Sequence, residues 1–102
     1  MVFIYTTFQN PEEAKAVAKT VLEKKLGGWV DMWPINSVYF EDGEFKEVKG
    51  GAALLITTIE LKLQDIENLV SQNHGSKASA IAAIGIQRIN RPYKEHIARH
   101  IE

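Results

Sequence analysis

The residues of this 102-residue chain best suited to hold a cation or move a proton are its three histidines. His74 lies in "SQNHGSKASAI", between a helix-like stretch and a strand-like one. His96 and His100 lie in "EHIARH", four residues apart, and so share one face of a helix. A metal site needs three or four well-placed nitrogen, oxygen or sulfur donors. Asn73 is the polar neighbour available to His74, and the alternative reading is a histidine that closes a helix, where a cationic side chain is mildly stabilising. For His96 and His100 the HExxH glutamate is missing and the sequence supplies no third ligand. Their other reading is the solvent face of a terminal helix, opposite Tyr93, Ile97 and Ile101. As a general base, His74 would need an orienting carboxylate such as Glu47 or Asp42. Ser76 and Ser79 lack the spacing of a nucleophile elbow, and "GSKAS" lacks that of a phosphate loop.

Composition narrows the classes further. The chain is 45% hydrophobic and 25% charged with a net charge of −1, ordinary for a soluble globular protein and without the basic excess of a nucleic-acid binder. It has no cysteine, which excludes disulfides, thiolate zinc sites and thiol nucleophiles. The opening "MVFIYTTFQN" lacks the positive region of a signal peptide, and no apolar run approaches the ~18 residues needed to span a bilayer. A cytoplasmic protein of one domain, residues 1–102, with no membrane partner is expected.

Which elements position these residues follows from periodicity. "VFIYTTF" (Val2 to Phe8) is β-branched and aromatic, a buried strand. Asn10 then caps a helix with Pro11 in its first turn, and Ala14, Val17, Ala18, Val21 and Leu22 recur at helical spacing. Lys24 and Lys25 load its last turn, and Gly27 and Gly28 stop it. A strand runs from Trp29 to Phe40, Asp42-Gly43 marks a hairpin, and a second strand runs from about Glu44 to Thr57. Thr57 with Glu60 forms a capping box for a second helix bearing Ile59, Leu63, Ile66, Leu69 and Val70, closed at Gly75. "ASAIAAIGI" is a last strand, and Pro92 opens a short terminal helix. The order is β-α-β-β-α-β plus a helix, an α+β, ferredoxin-like sandwich with two helices on one face of an antiparallel sheet.

Such a sheet should alternate apolar and polar residues along each strand. Instead Trp29, Trp33, Ile35 and Tyr39 lie on one parity of the second strand, and Val30, Met32, Val38 and Phe40 on the other. Both faces want burial, and one small domain covers only one. A homo-oligomer is therefore expected. The same layout hosts RNA-binding modules, but "KGGAALLI" lacks the stacking aromatics of their third strand.

The residues Tyr5-Thr6-Thr7, Glu13-Ala14, Leu26, Ser37-Val38-Tyr39, Gly43, Glu47, Leu54-Leu55, Thr57 and Tyr93 resemble the CutA divalent-cation-tolerance family over nearly the whole chain. The resemblance implies a non-enzymatic homotrimer of ferredoxin-like subunits concerned with divalent cations such as copper. It also implies a metal site at His74 with Asn73 and Thr6, the last lying where some relatives carry a cysteine. Tyr39, Glu47 and Tyr93 match positions lining the cleft between subunits, where a small ligand would sit. The chain departs from the family at Trp29, where cysteine is usual, at Ile56 and Gly50, and at His96, which is often tryptophan. The family's H-P-Y-x-x-P-E loop is here "HGSKASA", which keeps the histidine alone. Two other classes stay open: a PII-like sensing trimer using Lys46, Lys49 and Lys77 at the cleft, and a small oligomeric enzyme with His74 as base.

Overall fold

A computed structural model describes residues 1–72 and 80–102. Asn73, His74, the helix stop expected at Gly75, and Ser76, Lys77 and Ser79 lie outside the described residues. Four strands, β1 (Val2–Phe8), β2 (Trp29–Glu41), β3 (Glu44–Thr58) and β4 (Ile81–Gly85), form one antiparallel sheet in the order β2-β3-β1-β4. Helices α1 (Pro11–Glu23) and α2 (Leu63–Gln72) carry the two crossovers, and α3 (Arg91–Arg99) ends the chain. This is the expected ferredoxin-like layout.

The core follows from alternation along β1. Val2, Ile4, Thr6 and Phe8 are buried while the residues between them are half-buried. On β3 their partners Thr58, Ile56, Leu54 and Ala52 share that face. The apolar members cluster with Ala14, Val17 and Val21 of α1 and Ile66 and Val70 of α2. Fully burying side chains such as Ile4, Leu54 and Ile56 stabilises the fold by about 1.5–3 kcal/mol each.

Helix α1 begins as expected, with Asn10 Oδ1 accepting from the Glu13 backbone N–H at 2.9 Å. Its end differs. Lys25 adopts the left-handed conformation (φ 57°), the Leu26 N–H donates to Val21 O (2.9 Å) and the Lys25 N–H to Leu22 O (3.1 Å). That closure is a Schellman motif, so the lysines follow the helix rather than load its last turn. Gly27 and Gly28 serve tertiary packing instead. A Cβ on Gly27 would meet Ile56 Cγ2 at 2.8 Å, and one on Gly28 would meet the Ile97 Cα of α3 at 2.8 Å.

The second helix also starts differently. Thr57 and Thr58 stay in β3, and a 3-10 turn at Glu60–Lys62, with Ile59 as a cap lacking a side-chain bond, leads into α2. Thr57 makes no capping box because its hydroxyl is taken by Tyr93, at 2.7 Å. The expected hairpin forms, with Asp42 (φ 52°) and Gly43 (φ 78°) both left-handed, as a two-residue turn requires.

One feature of β2 and β3 shapes the molecule. β1 pairs with β3 only from Ala52 to Thr58, so the strands beyond form a two-stranded arm reaching roughly 23 Å farther. A bulge between Ile35 and Ser37, where Asn36 Oδ1 accepts from the Gly50 N–H at 3.3 Å, marks its base. The arm contributes to a longest dimension of 46 Å against 25 and 21 Å.

Gly28→Ala tests the packing role of that glycine. The contacted atom is backbone and cannot rotate away, so a loss of about 1–3 kcal/mol is expected in urea unfolding. A change within about 0.5 kcal/mol, ordinary for a surface position, would show that α3 is not held there.

Candidate functional site

The face of the sheet away from α1 and α2 is the first candidate. Strand pairing puts Phe3, Tyr5 and Thr7 of β1 there, with Ala53, Leu55 and Thr57 of β3, Trp29, Asp31, Trp33 and Ile35 of β2, and Ala82 and Ile84 of β4. Trp33 and Ile84 remain 39% and 52% exposed. Tyr5 lies beside Trp33, ring centroids 6.3 Å apart. On the arm the opposite parity of β2 carries Val38 and Phe40, exposed along with Phe45, the two phenylalanines edge-to-face at 6.0 Å. The expectation that both faces of the sheet are apolar therefore holds; α1 and α2 cover one, and α3 reaches the Thr57 and Trp29 end of the other.

The residues expected at an inter-subunit cleft do not meet in one chain. Tyr39 faces the same side as its partner Lys46, and Glu47 the same side as Val38, so the two point to opposite faces of the arm. Their neighbours on the arm are short charge pairs, Lys46 with Glu44 at 3.2 Å and Lys49 with Glu47 at 3.6 Å. Tyr93 lies at the far end of β2, in α3, bonded to Thr57.

That far end holds a cluster that sequence reasoning did not assemble. Trp29 stands edge-on to Tyr93 (5.8 Å) and to His96 (5.3 Å), and its indole N–H donates to Asp31 Oδ1 at 3.1 Å. His96 stacks on His100 with centroids 4.2 Å apart and planes inclined by 27°. His100 Nδ1 lies 2.7 Å from the His96 carbonyl. His96 is half-buried, so the reading of both histidines as a wholly solvated face fails for it. The signal available in the sequence was the i, i+3 spacing of Tyr93 and His96. What it lacked was the tertiary contact with Trp29.

Thr6, the residue implied as a metal ligand, faces the helices. It is fully buried, and among the described residues its hydroxyl has no hydrogen-bond partner. A neutral hydroxyl is a weak donor for a transition metal. Among the described residues no three His, Asp or Glu side chains come together to hold an ion. His74 and Asn73 lie outside the described residues, and Thr6 by itself does not make a cation site. Near α3, Ile89, Arg91, Lys94, Glu95 and Ala98 line a groove, where Arg91 Nε donates to Glu95 Oε1 at 3.0 Å.

The sheet order, the two helices on one face and the hairpin arm define a ferredoxin-like protein with an uncovered apolar sheet face. The profile of the CutA1 divalent ion tolerance protein matches residues 2–100, and the chain belongs to that family. The divalent-cation tolerance protein CutA of Archaeoglobus fulgidus is 32% identical over 100 residues, covering 98% of this chain and 97% of the relative. That of Thermotoga maritima is 30% identical over 93 residues, 91% of each chain. Among solved structures, the periplasmic divalent cation tolerance protein CutA from Archaeoglobus fulgidus superposes with a TM-score of 0.92 at 31% identity, covering 100% of both chains. CutA1 from Oryza sativa superposes with a TM-score of 0.91 at 27% identity, covering 99% of this chain and 93% of its own.

Two substitutions separate structural from ligand roles here. Thr6→Val replaces a buried hydroxyl that has no partner among the described residues with a methyl group, so thermal unfolding should show a gain of about 1 kcal/mol. A loss of cation uptake in that variant would instead make Thr6 a ligand. Tyr93→Phe leaves the buried Thr57 hydroxyl unpaired, and a loss of about 1–3 kcal/mol is expected. Combining it with Thr57→Val should cost less than the two losses added, as a double-mutant cycle will read.

Proposed function

We propose that this protein acts as a self-assembled, non-catalytic CutA protein, a homotrimer of one-domain subunits in the cytoplasm that takes part in the response to divalent cations, copper foremost. The observation carrying this reading is the uncovered sheet face with Trp33 and Ile84 exposed, together with the projecting arm bearing Val38, Phe40 and Phe45. Large apolar side chains exposed in such number are seldom left to water. An arm longer than its own sheet supplies free strand edges and apolar side chains to a neighbouring copy. The tolerance role is supported by family membership and by the names of the relatives, which are divalent-cation tolerance proteins. No helix of the described residues is long and apolar enough to cross a membrane. The Archaeoglobus protein of known structure is described as periplasmic, so fractionation of the native host is the check on compartment.

Between subunits, Tyr39 on the arm of one copy and Tyr93 at the sheet end of another would line a cleft for a small ligand, with Glu47 on the other face of the same arm. Tyr39 and Tyr93 stand near opposite ends of a single subunit, and assembly supplies the means to bring them together. A PII-like nucleotide sensor receives less support. Two of its three lysines, Lys46 and Lys49, are already paired with glutamates.

Light scattering on the purified chain should return three chain masses. Ile84→Lys is tolerated in an isolated subunit, where the side chain is 52% exposed, but places a charge in the assembled interface. The association constant should fall at least about a hundredfold, leaving single chains with unchanged circular dichroism. A wild-type protein running at one chain mass would overturn the assembly reading.

A further inference from the structure

The tip of the arm and the outer face of α3 lie near opposite ends of the subunit, and each carries charge and apolar surface that the chain itself leaves open. The tip reads Phe40-Glu41-Asp42-Gly43-Glu44-Phe45, and the groove on α3 is lined by Ile89, Arg91, Lys94, Glu95 and Ala98. We propose that the tip of one copy docks in this groove of a second copy, an acidic, aromatic plug in a cationic seat. The inference rests on the assembly reading above and adds a contact surface beyond the cleft.

Pairing places Phe40 opposite Phe45 and Glu41 opposite Glu44 across the last two rungs of the hairpin. The two rings, 75% and 64% exposed, stand together on one face. Glu41 and Glu44 stand together on the other, and like charges directly opposite one another destabilise a pair of strands. Lys46 answers Glu44 at 3.2 Å, while Glu41 and Asp42 have no ion pair among the described residues. A tip built in this way is strained by its own charge in a lone subunit, and a cation from outside relieves it.

On α3, Arg91, Lys94, Glu95 and Ala98 recur at i, i+3, i+4 and i+7, and so lie along one side of the helix. That side is exposed, whereas Tyr93 and Ile97 turn toward the sheet. With Ile89 these residues line a hollow of about 490 Å³, a volume within the roughly 300–1,000 Å³ of ligand pockets. Ile89 and Ala98 offer apolar contact to the rings. Arg91 is bridged to Glu95 at 3.0 Å, and Lys94 has no ion pair among the described residues, so the rim keeps an unanswered positive charge. Two tips repel each other, as do two grooves, and tip against groove brings opposite charges together.

The chain order agrees with this pairing. Tyr39 precedes Phe40 and Tyr93 precedes Lys94, so a cleft that joins the two tyrosines carries the tip onto the same helix. Tip and groove are different surfaces, so the contact is head-to-tail, and three such contacts close a ring.

The chain has no cysteine, so a designed cross-link reads this contact alone. Full-length Phe45→Cys/Ala98→Cys protein is mildly oxidised and run on a denaturing gel. Bands of two and three linked chains are expected from the double variant, and single chains from either variant alone. Single chains from the double variant, or a two-chain band as strong from Phe45→Cys alone, would overturn the proposal. In unmodified chains, Lys94→Glu should lower the association constant roughly tenfold, and adding Glu41→Lys should return it to within about threefold of the wild type. A Lys94→Glu protein that associates like the wild type, or a loss that Glu41→Lys does not repair, would also overturn it. Light scattering tells the two readings apart. A wild type of one chain mass ends the assembly reading and this docking with it, whereas a three-chain wild type without the cross-link ends the docking alone and leaves the groove to a small anion.

Discussion

The seven consecutive pairs between β1 and β3 are the constraint on which the molecule is built. Successive side chains of a strand point to opposite faces, so fixing this register assigns every residue of both strands to one side or the other. Val2, Ile4 and Phe8 with Leu54 and Ile56 go under the helices, and α1 and α2 lie where they do because that face, Thr6 and Thr58 apart, is apolar. Tyr5, Leu55 and Trp33 go to the other side by the same rule. The exposed aromatic face is thus no accident of packing. Its sign is set by the same register that makes the core.

A second organising point is the junction where α1 hands over to β2. Gly27 lets the strand pass beneath Val21 and Ile56, and Gly28 lets α3 approach at backbone distance. Thr58 Oγ1 donates to Leu26 O at 2.5 Å, and the Glu102 N–H donates to Lys25 O at 3.2 Å, so the C-terminus is tied to the same loop. With α3 seated there, Tyr93 reaches Thr57, and Trp29 fits between Tyr93 and His96. Trp29 and His96, far apart in the chain, touch each other.

The match to the family lives mostly in the scaffold. Of the resembling residues, Tyr5, Thr6 and Thr7 sit on β1, Ser37, Val38, Tyr39, Glu47, Leu54, Leu55 and Thr57 on β2 and β3, Glu13 and Ala14 on α1, and Tyr93 on α3. A scaffold can be inherited while the groups that do chemistry on it change, because backbone pairing and apolar burial tolerate substitutions that a ligand set does not.

Most of the fold was legible without coordinates. Alternation in "VFIYTTF", the Asn10 cap, the Asp-Gly turn and the clash of parities in β2 each report a local or periodic property, and local properties are written in neighbouring residues. The junction was not legible. Gly27 and Gly28 follow a helix, which is also where a stop glycine stands, and only the nearness of Ile56 and Ile97 assigns them to packing. Thr57 precedes Glu60 at capping-box spacing, but a partner 36 residues away claims its hydroxyl. His96 looked like one member of a wet helix face until Trp29, 67 positions earlier in the chain, was brought against it. The sequence by itself determined the elements, their order and the excess of apolar surface, because these depend on spacing along the chain. The tertiary structure decided which hydroxyl meets which ring and which histidines stand together, because those contacts close loops whose partners no local pattern names.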